Sequence, residues 1–400
     1  MSLRNFGFLV SLLGMALACP AVAQDNPALE AQKANALPLT PFYDINGADI
    51  SSPGVLVRSE VGSGYDLPAG VTATRIAYSS RDANDRPSLA TGVVLQPPGS
   101  PPPGGWPIIA WAHGTAGIAR VCAPSLMKDV YYGWEGLYLY PLLGYAVIAT
   151  DYAGLGSPGV HQYMWSRAQG NDVAYSIPAA RAAVPSLGSN WVGIGHSQGG
   201  YAVLRITNMA ESAKAGFLGA IPIASGADIE PVWRMSDPNT QTVPSTIPMM
   251  ALSIKAVRPE FDISTMVAPA AHASMARVGE EACLGAAEAI MRGVTREQGR
   301  VEGWMDVPQV VEFARENRIF TRPLRDPVLL VLSSGDQYIP APLRKQILED
   351  LCKVGEKASY KIVADVDHGG TINASLQDQL RWMEDRFAGR PAKQGCSAVE

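Results

Sequence analysis

The pentapeptide Gly195-His196-Ser197-Gln198-Gly199 constrains this chain more than any other feature, because it stands between a short apolar run at 191–194 and a helix-like segment at 199–213. A strand that passes straight into a helix through Gly-x-Ser-x-Gly forms a nucleophile elbow, in which the central serine takes a strained backbone conformation. Its glycines let strand and helix approach closely. The helix N-terminus behind Ser197 favours developing negative charge. The pentapeptide alone would fit an ordinary glycine-rich turn; the flanking pattern and the partners below point to a nucleophile.

The flanking pattern is one of short, nearly continuous apolar runs at 107–112, 145–150, 191–194, 218–224 and 328–332, with a weaker one at 360–364. Such runs suit strands buried on both faces. Helical spacing occupies 167–183, 199–213, 343–353 and 372–387 between them. Ahead of this series, 71–79 and 88–96 alternate around turn residues at 82–87, which predicts a hairpin. The Pro/Gly stretch at 97–105 reads as a surface loop. A sheet that opens antiparallel and continues as β-α-β has the α/β-hydrolase order: a mostly parallel central sheet flanked by helices. About a hundred residues, 227–326, interrupt it without a strand signal, rich in Met, Pro and Ala and helical at 274–291. A structureless loop of that length is improbable in a compact domain, so a helical cap, or lid, is expected there. The expected division is a leader at 1–23, a core at 24–226 and 327–400, and the cap at 227–326.

A serine hydroxyl needs a base, and this fold supplies its partners in the order serine, acid, histidine. His368 is the histidine in the right place, in a His-Gly-Gly loop after the last strand. His113, His161, His196 and His272 are expected to be structural, with His196 pointing away from the site. Asp336 lies just past the 328–332 run, where open α/β sheets place active groups. Asp365 and Asp367 flank the histidine too closely to reach the far side of its ring. One oxyanion donor is expected at the Gln198 amide. The other belongs to the His113-Gly114-Thr115-Ala116-Gly117 loop, at Gly114 or Thr115, and sequence does not decide between them.

Composition narrows the compartment and the partners. Arg4, the apolar stretch at 6–17 and the Ala21-Val22-Ala23 site read as a cleavable export signal, too short to span a bilayer. Cys19 follows a poor lipidation motif. Losing Arg4 takes the net charge from −5 to −6 with no basic run left, which argues against nucleic acid. Cys122, Cys283, Cys352 and Cys396 then remain, an even number in an oxidising compartment, secreted or periplasmic, so two disulfides are expected. No cysteine pair has the spacing of a zinc or redox motif, no P-loop lysine follows a glycine, and no His-Glu-x-x-His occurs. Gly193-Ile194-Gly195 fails as a dinucleotide fingerprint because Gln198 stands where the third glycine belongs. No cofactor and no metal are expected.

His113-Gly114-Thr115, Cys122-Ala123-Pro124-Ser125, Asp151-Tyr152-Ala153-Gly154-Leu155-Gly156 and Gly195-His196-Ser197-Gln198-Gly199-Gly200 together resemble the secretory lipase family over nearly the whole mature chain. The last motif is common to all α/β-hydrolases; the second and third are far less common. The resemblance implies a Ser197, Asp336, His368 triad, a helical lid over an acyl pocket, and bridges pairing Cys122 with Cys283 and Cys352 with Cys396. The implied activity is carboxylic ester hydrolysis through an acyl-enzyme, on a small-molecule or lipid ester, with transient contact between cap and lipid interface. A peptidase or amidase with the same triad and a catalytically dead binding module are the rivals. Apolar cap segments at 247–252 and 266–269 are expected to divide between the cap's own core and the acyl pocket.

Overall fold

A computed structural model describes residues 26–236 and 241–399; the leader expected at 1–23 lies outside them. Among the described residues ten strands form one sheet: β1 (Leu56–Val61), β2 (Thr72–Arg81), β3 (Pro87–Gln96), β4 (Trp106–Ala112), β5 (Ala146–Thr150), β6 (Leu187–His196), β7 (Phe217–Ile223), β8 (Val328–Ser333), β9 (Ala358–Val363) and β10 (Ser397–Ala398). Their spatial order is β1-β2-β3-β5-β4-β6-β7-β8-β9-β10. The pairs from β1 to β5 along that order are antiparallel and the rest are parallel. This is the α/β-hydrolase sheet.

Side-chain alternation on buried strands gives the sheet two apolar faces. Ile108, Ala110 and Ala112 of β4 pack under the helices Ser166–Ala183 and Gln198–Ile206. Ile109 and Trp111 face the opposite side, where Tyr132, Tyr140 and the Leu376–Phe387 helix lie. A buried side chain of this size stabilises the fold by roughly 1.5–3 kcal/mol. Register aligns Ala112 with Gly195, His196 with Ile223, and Ile223 with Val331. The loops leaving β4, β6, β8 and β9 therefore gather at one carboxyl edge of the sheet.

Sequence reading missed β1 and β10. The first, LVRSEV, carries two charges in six residues, and the second is two residues long. Three expected helices are also broken. The one after the elbow ends at Ile206, with a separate turn at Glu211–Lys214; the last begins at Leu376 after a short turn at Thr371–Ala374. In the 274–291 region, helices His272–Glu280 and Leu284–Met291 are parted by an extended Cys283, which is held by a disulfide. Periodicity continues across that break, so hydrophobic pattern alone could not show it.

Between β7 and β8 the described chain is helical, at Ile229–Ser236, Thr246–Val257, His272–Glu280, Leu284–Met291 and Pro308–Asn317. Met249, Met250, Met266 and Val267 are wholly buried there and share one cluster with Tyr163, Trp165 and Tyr201 of the sheet domain. The four side chains belong to the core that joins this segment to the sheet.

Candidate active site

Ser197 has φ 52° and ψ −114°, the left-handed region that L side chains avoid. Its amide donates to the Ile223 carbonyl at 2.8 Å, which fixes the turn against β7. A side chain on Gly195 would strike the Gly199 carbonyl, and one on Gly199 would strike the Ala112 carbonyl. Both glycines are thus required by close approach. Gln198 is the first residue of the following helix, so its amide belongs to the unpaired N-terminal turn beside Ser197.

His368 Nδ1 lies 2.8 Å from Asp336 Oδ2. An ionised carboxylate can only accept, so Nδ1 carries the proton and Nε2 is left basic. Asp336 is buried, and its other oxygen accepts from the amides of Tyr338 at 2.8 Å and Ile339 at 3.2 Å. The His368 amide donates to Gln337 Oε1 at 3.2 Å, and the Tyr338 ring meets the imidazole edge-on at 5.0 Å. Asp365 and Asp367 are exposed and serve the loop: Asp365 accepts from Ser334 Oγ at 2.9 Å and Asp367 from the Gly370 amide at 2.7 Å. Among the described residues the Ser197 hydroxyl makes no direct hydrogen bond to His368. Such bonds are often long in resting enzymes and tighten with substrate.

His196 departs from its expected orientation. Its ring centroid is 4.8 Å from that of His368, and its Nε2 lies 3.1 Å from the His368 carbonyl. On the other side Nδ1 is 2.9 Å from the Tyr132 hydroxyl. The sequence shows an elbow residue and no reason for it to turn towards a loop 172 positions away.

The loop after β4 is held from several sides. Thr115 Oγ1 meets the Tyr163 hydroxyl at 2.9 Å, and the Thr115 carbonyl accepts from Tyr131 at 2.5 Å. The Tyr132 hydroxyl packs against Gly114. A side chain at Gly114 would come 2.5 Å from that hydroxyl, which explains the glycine. The Leu284 amide donates to the Ala116 carbonyl at 2.8 Å, and the Cys122–Cys283 disulfide closes beside it. Cys352 and Cys396 form the second bridge. Both pairings are those the family resemblance implies.

Two motifs with no obvious chemistry acquire one role. Asp151 accepts from the Ser125 amide at 2.7 Å, Ser125 Oγ at 2.5 Å and Thr91 Oγ1 at 2.7 Å, so it binds the Cys-Ala-Pro-Ser segment to the sheet. Burial pushes its carboxyl up to about 6. Gly154 has φ 87°, and a side chain there would strike the backbone at Val160 and His161. The glycine lets that strand of loop pass, carrying His161 inward to Gln198. His113 and His161 are buried, and burial lowers them to about 4 and about 3. His272 lies 3.0 Å from the Val267 carbonyl in the helical segment between β7 and β8. Among the described residues no His, Cys, Asp and Glu group could hold a metal ion.

A mostly parallel α/β sheet carrying a strained serine at the elbow and a buried aspartate–histidine pair at the same edge defines a hydrolase of the lipase and esterase kind. The chain belongs to the secretory lipase family, whose model matches residues 123–395, and it is a carboxylic ester hydrolase. Solved structures share the fold at low identity. The rice cell wall degrading esterase LipA from Xanthomonas oryzae is 16% identical with TM-score 0.67, over 84% of this chain and 98% of its own. Candida antarctica lipase A in its closed state is 14% identical with TM-score 0.72, over 90% and 88%. A putative hydrolase from Legionella pneumophila is 16% identical with TM-score 0.67, over 83% and 98%. No curated protein matches the sequence.

Proposed function

We propose that the protein is an exported serine esterase or lipase in which Ser197 is the nucleophile, His368 the general base and Asp336 the group that orients it. The observation that carries this reading is the bond between His368 Nδ1 and the buried Asp336, with the His368 ring packed against the residue preceding Ser197. Ser197 Oγ attacks the ester carbonyl while its proton passes to His368 Nε2. The imidazolium returns that proton to the departing alkoxide, and water then releases the acid by the same route. Asp336 stays ionised throughout. Its charge stabilises the imidazolium.

Gln198 supplies one oxyanion donor and Gly114 or Thr115 the other. Among the described residues neither of the latter amides has a protein acceptor. The helical segment at 227–326 is read as the cap over the acyl site. Its disulfide to the Thr115 loop couples the two. Export rests on the 1–23 leader, the four paired cysteines and the secretory family. No helix among the described residues is long and apolar enough to cross a membrane. The substrate is a small-molecule or lipid ester, and a lipid surface would be met through the cap.

The test is hydrolysis of p-nitrophenyl esters from acetyl to palmitoyl, with triglycerides and a peptide anilide alongside and a fluorophosphonate to label the nucleophile. Ester turnover and labelling that both vanish in Ser197→Ala are expected. Cleavage of the anilide at rates matching the esters would mark an amidase. Labelling that survives Ser197→Ala would sink the nucleophile assignment.

A further inference from the structure

Two hydrogen bonds run in one direction through the residue that precedes Ser197. The Tyr132 hydroxyl donates to His196 Nδ1 over 2.9 Å, and His196 Nε2–H donates to the His368 carbonyl over 3.1 Å. The carbonyl can only accept, so Nε2 must carry the proton and Nδ1 must be the acceptor. The chain is complete only with His196 neutral and in this one tautomer.

We infer that His196 is a positioning residue for the ester hydrolysis, a strut that fixes the His368 loop relative to Ser197 and is itself held by the Tyr132 hydroxyl, which packs against Gly114 of the oxyanion loop. The His368 loop needs such a strut. It continues into Gly369 and Gly370, and the Gly369 site has open space where a side chain would stand. Asp336 restrains one ring nitrogen of His368, and the Gln337 side chain holds the backbone of His368 at its amide. His196 supplies a second anchor, at the carbonyl of the very residue whose ring must reach Ser197. Because His196 adjoins Ser197 in the chain, the elbow and the base move as one body.

The surroundings keep the strut uncharged during turnover. His196 is buried, and burial first, then the neighbouring His368, lowers it to about 3, while its hydrogen bond to the His368 carbonyl and the charge of Asp336 oppose this. The groups that face it are Tyr132, His368 and Asp336. When His368 takes the serine proton, a second positive charge 4.8 Å away would oppose the transfer. A neutral donor–acceptor imidazole offers two directed bonds without that penalty.

The inference rests on His368 being the base, and the experiment separates the two. In purified protein whose active sites are counted with a fluorophosphonate, His196→Phe keeps a ring and loses both bonds, while His196→Gln keeps an N–H able to reach the carbonyl. His196→Phe should lower kcat for p-nitrophenyl butyrate by about 10²-fold with KM within about twofold, the scale of a misplaced catalytic group. The downfield proton resonance of the His368–Asp336 bond should broaden with it. His196→Gln should recover most of kcat. If His196→Phe does not fold, Tyr132→Phe, which removes the hydroxyl bonded to His196 Nδ1, should lower kcat several-fold at unchanged KM. Unchanged kcat in His196→Phe or Tyr132→Phe, or equal loss in His196→Phe and His196→Gln, overturns the strut. Full turnover by His368→Ala would instead overturn the base assignment beneath it.

Discussion

The side chains of Gln198 and His161 meet in the interior, with Gln198 Nε2 3.1 Å from His161 Nε2. His161 Nδ1 lies 3.1 Å from the Ala153 carbonyl and must donate to it, so Nε2 accepts from the glutamine amide. The residue after Ser197 is thereby pinned to the loop that Gly154 allows to enter. Replacing His161 with Phe leaves the Gln198 amide buried without its partner, and the other atom of that amide already has none. A loss of about 1–3 kcal/mol is expected in urea unfolding. An unchanged midpoint would mean that the Gln198 side chain relaxes without cost.

The same residue sets a pH signature. Histidines held at about 3 (His161), about 3 (His196) and about 4 (His113) bind no proton in the folded chain at pH 5, whereas unfolded histidines do. The stability they contribute is present above the ordinary histidine range near 6.5 and is lost as pH falls towards 4. Burial raises Asp151 to about 6 and Asp172 to about 7, so their contribution runs the other way and is lost as pH rises through those values. Three against two leaves these five groups with stability rising between pH 4.5 and 6. In His161→Phe that slope should fall by up to about 1.4 kcal/mol per pH unit, one proton's worth. Parallel curves for the variant and the parent protein would contradict the burial of a neutral His161.

Asp336→Asn should cost on the order of 10⁴-fold in kcat, as in serine proteases where the imidazole loses its tautomer. Asp365→Asn and Asp367→Asn should stay within a few-fold of the parent enzyme, because those carboxylates serve the loop backbone. Active-site-titrated kcat values for the three variants decide the matter, and a collapse in either of the latter two would reassign the acid.

Met249 and Met250 are 0% and 1% exposed inside the shared core. Shortening either to Ala should therefore cost about 2–5 kcal/mol of stability. It should leave the ratio of octanoyl to acetyl ester turnover near that of the parent. A selective loss of long-chain activity at unchanged melting temperature would place these side chains in an acyl tunnel after all.

The Cys122–Cys283 bridge closes 161 residues and the Cys352–Cys396 bridge 44. The chain-entropy estimate is at most about 5 and about 4 kcal/mol. Double replacement by Ser of the first pair should lower kcat as well as stability, since it frees the loop bearing Thr115 from the 284–291 helix. Replacing the second pair, which pins the C-terminal segment beside β9, should lower stability alone. Equal kcat loss in both double variants, in titrated assays, would show that the first bridge has no special link to the active site.

Local pattern determined much of this protein. Short apolar runs separated by helix-length segments specify a buried parallel sheet, and the Gly195–Gly199 elbow specifies where a strained serine stands, because both depend on neighbours within one turn or one strand. Asp336 and His368 could be singled out by position after a strand, since the fold always brings those loops to one edge. Tertiary structure alone decided what joins those loops. The turn of His196 towards His368, the seat of Gln198 on His161, the Ser125–Asp151 bond and the burial of Met249 and Met250 each depend on partners between 26 and 172 residues away or on the packing of whole elements. Hydrogen bonds and close packing act through a few ångströms of space, and no periodicity in the chain records which distant residues that space will bring together.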